Sequence, residues 1–153
     1  MDNFKKIIEV INDLIKINKD REEAYVKASR ELTPAEHNLR GVFERKAQES
    51  RNNVIQLQTK AVEVGEQAGE TVPEENSFMG ALYNVWMDLK QVFTGNDEKS
   101  ILESVESGEK AALKCYEDAL NEKELPNDVS DIIREQKQSI DNSEREIKSL
   151  LER

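Results

Sequence analysis

Three glutamates stand where apolar side chains are expected. At 100° per residue, Glu22 falls in the middle of a helical stripe formed by Phe4, Ile7, Ile8, Ile11, Leu14, Ile15, Tyr25, Val26 and Ser29. Glu109 falls between Val105 and Ala112 on a later stripe, and Glu144 between Ile140 and Ile147 on the last. Asn18 shares the stripe of Glu22, while Ser50 and Asn53 interrupt the run Leu39, Phe43, Ala47, Val54, Leu57, Ala61 and Val64. Glu22 lies 12 residues before Pro34, and Glu109 and Glu144 lie 17 and 18 residues from Pro126. These offsets are roughly 18 Å and 26 Å of helix, so in a bundle about 43 Å long with its two turns at opposite ends the three carboxylates share one level.

Carboxylates that converge in an apolar interior need protons, basic partners or a cation. Oxygen donors suit Fe, Mn or Mg, which makes Glu22, Glu109 and Glu144 candidate metal ligands, with Glu49 and Asp141 at the edges of their stripes as further candidates. The di-iron pattern of helical bundles takes a Glu from each of two helices and Glu-x-x-His from each of the other two. At the matching places stand Glu49-Ser50-Arg51-Asn52 and Asp141-Asn142-Ser143-Glu144, neither with a histidine, and the single histidine, His37, belongs to the first turn of a helix far from that level. A metal bound here would be held more weakly and less selectively than in a histidine-containing centre. The structural alternative pairs the same carboxylates with Lys46, Lys110, Lys137 or Arg51 and needs no metal. No set of residues reads as catalytic or as a cofactor site. Tyr25, Tyr116 and the lone Cys115 read as core.

The elements that position these groups follow from period and punctuation. Only nine of the 153 residues are Gly or Pro, too few for the turns of a sheet-rich fold, and the chain is 35% charged. One helix is predicted from about residue 3 to 32. Thr33-Pro34-Ala35-Glu36 is a capping box with Pro at the first helical position, so a second helix starts there and fades near Gly65 and Gly69. A linker around Pro73 leads to a short helix from Ser77 to about Phe93, with Phe78, Leu82, Tyr83, Trp86, Leu89 and Phe93 on one face. Thr94-Gly95-Asn96-Asp97 stops it and caps a helix running to about Lys123; Leu125-Pro126-Asn127-Asp128 then breaks the chain before the last one. The expectation is a single all-α domain over residues 1–153: two antiparallel hairpins in a four-helix bundle, with an extra short helix in the long crossover connection.

Charge sets aside several partners. With 22 Lys and Arg against 32 Asp and Glu the net charge is −10, and no basic stripe suits a phosphate backbone, so no nucleic acid is expected. Glu9 and Asp13 interrupt the first apolar run, leaving neither a signal-peptide core nor a membrane span, and a cytoplasmic setting is the expectation. The apolar face of residues 78–93 is expected to fold over its own bundle or to mediate assembly into a homo-oligomer.

The runs Ile11-Asn12-Asp13-Leu14-Ile15 and Asp20-Arg21-Glu22-Glu23-Ala24-Tyr25, with Gly80-Ala81-Leu82, Trp86-Met87-Asp88-Leu89-Lys90, Thr94-Gly95-Asn96-Asp97 and the segment from Glu106 to Tyr116, carry a resemblance over nearly the whole chain. The chain resembles a bacterial family of ferritin-like four-helix-bundle proteins of unknown function. That resemblance implies a ferritin-like fold, a bacterial cytoplasmic setting and descent from a metal-binding bundle. The histidines of the ferritin-type metal motif are missing here. Two function classes stay open: a metal-binding or oxidoreductase-type bundle using Glu22, Glu109 and Glu144 with Glu49 and Asp141, or a non-catalytic structural or interaction protein that assembles through residues 78–93.

Overall fold

One register runs through much of the interior. Ile7, Ile11, Leu14, Asn18, Arg21, Tyr25, Ala28 and Leu32 alternate by four and three residues, and all are buried. This is the seven-residue repeat of helices packed at a shallow angle, in which two positions of every seven face the partners. The computed structural model describes residues 2–32, 37–69 and 97–153, and these residues form four helices: α1 (Asp2–Glu31), α2 (His37–Ala68), α3 (Glu98–Leu120) and α4 (Asn127–Leu151). No strand occurs among the described residues. The same repeat continues in α3 through Leu102, Val105, Glu109, Ala112, Tyr116 and Ala119, and in α4 through Val129, Ile133, Gln136, Ile140, Ser143 and Ile147.

Cross-helix bonds fix the directions. Arg21 meets Ser50 and Asn18 meets Asn53, so α1 and α2 run antiparallel. Arg21 also meets Glu109, and Asn18 meets Tyr116, so α3 runs antiparallel to α1. Lys46 with Glu146 and Gln56 with Gln136 set α4 antiparallel to α2. The helices α2 and α3 are therefore parallel and diagonal, and Ala68 and Glu98 lie at opposite ends of the bundle. That is the four-helix arrangement expected from the sequence.

The helix ends explain themselves locally. Gly69 ends α2 with φ of 69°, a left-handed conformation that glycine adopts without a Cβ clash, and its N–H donates to the Glu66 carbonyl. Asp97 caps α3 as expected, its carboxylate accepting from the Ser100 N–H at 2.8 Å. Arg40 donates to the carbonyls of Ser29 and Leu32 at 3.0 and 2.9 Å, satisfying acceptors that the end of α1 leaves open. The capping box at 33–36 and the expected short helix at 77–93, with Trp86, lie outside the described residues. Among the described residues no helix is long and apolar enough to cross a membrane.

Candidate functional site

Halfway along the bundle the apolar repeat gives way to a layer in which every helix contributes a polar residue: Arg21 from α1, Ser50 from α2, Glu109 from α3 and Ser143 from α4. Arg21, Ser50 and Glu109 are completely buried and Ser143 nearly so. The guanidinium grips Glu109 at both ends, Nε donating to Oε1 at 2.6 Å and Nη2 to Oε2 at 2.8 Å. Nη2 also donates to Ser143 Oγ, while Nη1 donates to Ser50 Oγ at 2.8 Å and to the Lys46 carbonyl at 3.5 Å. All five N–H groups of the arginine are used, as burial demands. The Ser143 hydroxyl donates to Glu109 Oε2. Glu49 reaches in from the solvent side, its Oε1 2.9 Å from Nη1 as a charge contact.

Electrostatics follow from this enclosure. Burial works against the charge on Arg21, but the Glu109 charge and its hydrogen bonds outweigh that and hold the guanidinium above its ordinary value. Tyr25 lies with its ring 5.3 Å below the guanidinium carbon and 5.5 Å from the Phe43 ring; burial and then Glu109 push its hydroxyl well above the usual phenol range. One to two helical turns away a second polar layer consists of Asn18, Asn53, Tyr116 and Gln136. Asn18 donates to the Tyr116 hydroxyl at 2.8 Å, Tyr116 donates to Gln136 at 2.7 Å, and Asn53 donates to Asn18 at 3.1 Å. Gln136 passes the chain outward to Gln56 at 2.7 Å. Burial pushes the Cys115 thiol up to about 12, so it is an inert core residue, as expected.

The structure does not bring the five candidate ligands together. Only Glu109 lies in the central layer, with Glu49 at its rim. Glu22 points one residue away from the core and accepts from Arg51 at the surface. Asp141 pairs with Arg145 at 3.2 Å. Glu144 turns toward Glu106 on α3, and burial followed by that neighbouring carboxylate raises its pKa. Among the described residues no group of three or more His, Cys, Asp or Glu side chains is arranged to hold a metal. The oxygens that would face a metal, those of Glu109, Ser50 and Ser143, are instead turned onto the guanidinium, so the residues present do not fit a di-metal centre.

Counting along the helices points to Glu22 at this level, whereas the folded α1 turns its neighbour Arg21 inward. The signal was available. Ile7, Leu14, Arg21 and Ala28 recur every seven residues, and so do Val129, Gln136 and Ser143.

The Glu106–Glu144 contact has a measurable sign. A carboxyl whose pKa is raised from 4.5 in the folded state favours folding while protonated and loses that favour as pH rises through this range. Glu144→Gln is therefore expected to raise the urea midpoint at pH 7, with the difference from wild type vanishing near pH 4. An equal difference at both pH values would contradict the contact.

A family model described as a domain of unknown function, DUF2383, matches residues 6–122. The chain belongs to the DUF2383 family. No curated protein matches the chain. The DUF2383 match takes in α2 and α3 whole and nearly all of α1, so it contains Arg21, Ser50, Glu109 and Tyr116. It stops before α4, which supplies Ser143 and Gln136.

Proposed function

We propose that this DUF2383 chain is a ferritin-like bundle of one domain in which Arg21 serves as the interior cation, and that it acts as a non-catalytic structural or interaction protein in the bacterial cytoplasm, assembling with copies of itself. One observation carries this reading: the guanidinium of Arg21 uses all five of its donors on Glu109, Ser50, Ser143 and the Lys46 carbonyl. A group that already neutralises Glu109 removes the need for a second cation, which would have to expel a buried charge at a cost of several kcal/mol. The apolar face of residues 78–93, which the sequence suggests for assembly, lies outside the described residues.

Calorimetric titration and elemental analysis after exposure to Fe²⁺, Mn²⁺ and Mg²⁺ test the reading. The expected result is substoichiometric metal that Glu109→Gln does not change. One equivalent of metal lost in Glu109→Gln would overturn it and favour a site drawn from Glu22, Glu49, Glu109, Glu144 and Asp141.

A further inference from the structure

The outward side of α2 differs from the rest of this highly charged chain. Ile55 and Val62, seven residues apart and on one line, are 61% and 53% exposed. Of the exposed residues around them, Asn52, Gln56, Gln58 and Thr59 bear no charge, and Glu63 beside Val62 is paired with Lys60 of the same helix at 2.6 Å. Beyond this neutral patch stand exposed Arg51 on one side and exposed Glu66 on the other. Arg51 donates through Nε to Glu22 and through Nη1 to Gln48, and among the described residues its Nη2 has no hydrogen bond.

We infer that α2 is the face through which two copies of this chain pair, antiparallel about a two-fold axis between Gln58 and Thr59. The inference rests on the self-assembly reading above and names its surface. Two bodies of net charge −10 repel, so they can meet only where charge is absent or matched. In this register Ile55 packs on the partner's Val62 and Val62 on the partner's Ile55, because a two-fold contact is self-complementary. The same register sets Arg51 opposite the partner's Glu66, and Glu66 opposite the partner's Arg51, so the apolar centre is closed at both ends by opposite charges. Parallel pairing would instead oppose Arg51 to Arg51 and Glu66 to Glu66. A neutral centre with a charged rim is the anatomy of protein interfaces, and a patch this small corresponds to a weak dimer.

Sedimentation velocity across the micromolar range is the test, with wild type expected to show a monomer–dimer equilibrium. Ile55→Asp should weaken it by at least about tenfold. Arg51→Glu and Glu66→Arg should each weaken it, and the double exchange should restore it, a result that loss of the Arg51–Glu22 pair alone cannot produce. Gln58→Cys should form a disulfide-linked dimer under oxidation, with buried Cys115 silent. A wild-type dimer indifferent to Ile55→Asp and to the charge exchange overturns the α2 surface while leaving self-assembly intact. A wild type that is monomeric throughout overturns both. A monomer that loses stability on Ile55→Asp means the patch is covered by the chain's own residues, and also overturns the inference.

Discussion

Replacing Arg21 with methionine should cost about 3–5 kcal/mol of unfolding free energy, because it leaves Glu109 as a buried charge without a counter-charge. The methionine chain fills much of the same space, so the loss measures electrostatics more than a cavity. Adding Glu109→Leu to that variant should recover most of the loss, since a buried ion pair exchanged for apolar groups of similar volume is close to neutral. Urea unfolding of the single and double variants gives both values. A cost below about 1 kcal/mol for Arg21→Met would mean that water reaches the pair, contrary to the complete burial of both side chains.

The second polar layer should respond through unsatisfied hydrogen bonds. Gln136→Leu removes the acceptor of the Tyr116 hydroxyl, which is completely buried, and is expected to cost about 1–3 kcal/mol. Tyr116→Phe removes the donor from the other side. The two together should cost less than their sum by about 0.5–3 kcal/mol, because once the tyrosine hydroxyl is gone the missing acceptor no longer matters. Strict additivity in this double-mutant cycle would show that the Tyr116–Gln136 bond contributes nothing to the fold.

The breaks in the chain were legible because each is written in local chemistry: Asp97 before α3, Pro126 before α4 and Gly69 after α2 act on their own neighbours. The level of the central layer was legible too, since rise per residue is constant and distances from the turns can be counted. The facing residue was not. The sequence stripes were drawn at 3.6 residues per turn, whereas the packed helices keep a repeat of seven residues in two turns, and the two patterns separate by about 20° per heptad. That difference leaves Asn18 and Ser50 inside but exchanges Glu22 for Arg21 and Glu144 for Ser143. Composition worked in the same direction, because an arginine on a charged helix reads as solvated until a buried carboxylate is found on another helix. Glu109 lies 88 residues away, beyond any local pattern.

The central layer takes Arg21 and Ser50 from the hairpin of α1 and α2, and Glu109 and Ser143 from the hairpin of α3 and α4. Each hairpin can form early from contacts close in sequence, but Glu109 finds its cation only on the other one. Docking is thus the step that neutralises the interior, and neither half is a complete electrical unit. A fragment ending before α3 would keep an inward arginine with only Glu49 in reach, and a fragment beginning at α3 would keep an inward carboxylate with no guanidinium. The bundle holds together cooperatively because its charge ledger closes only when both hairpins are present.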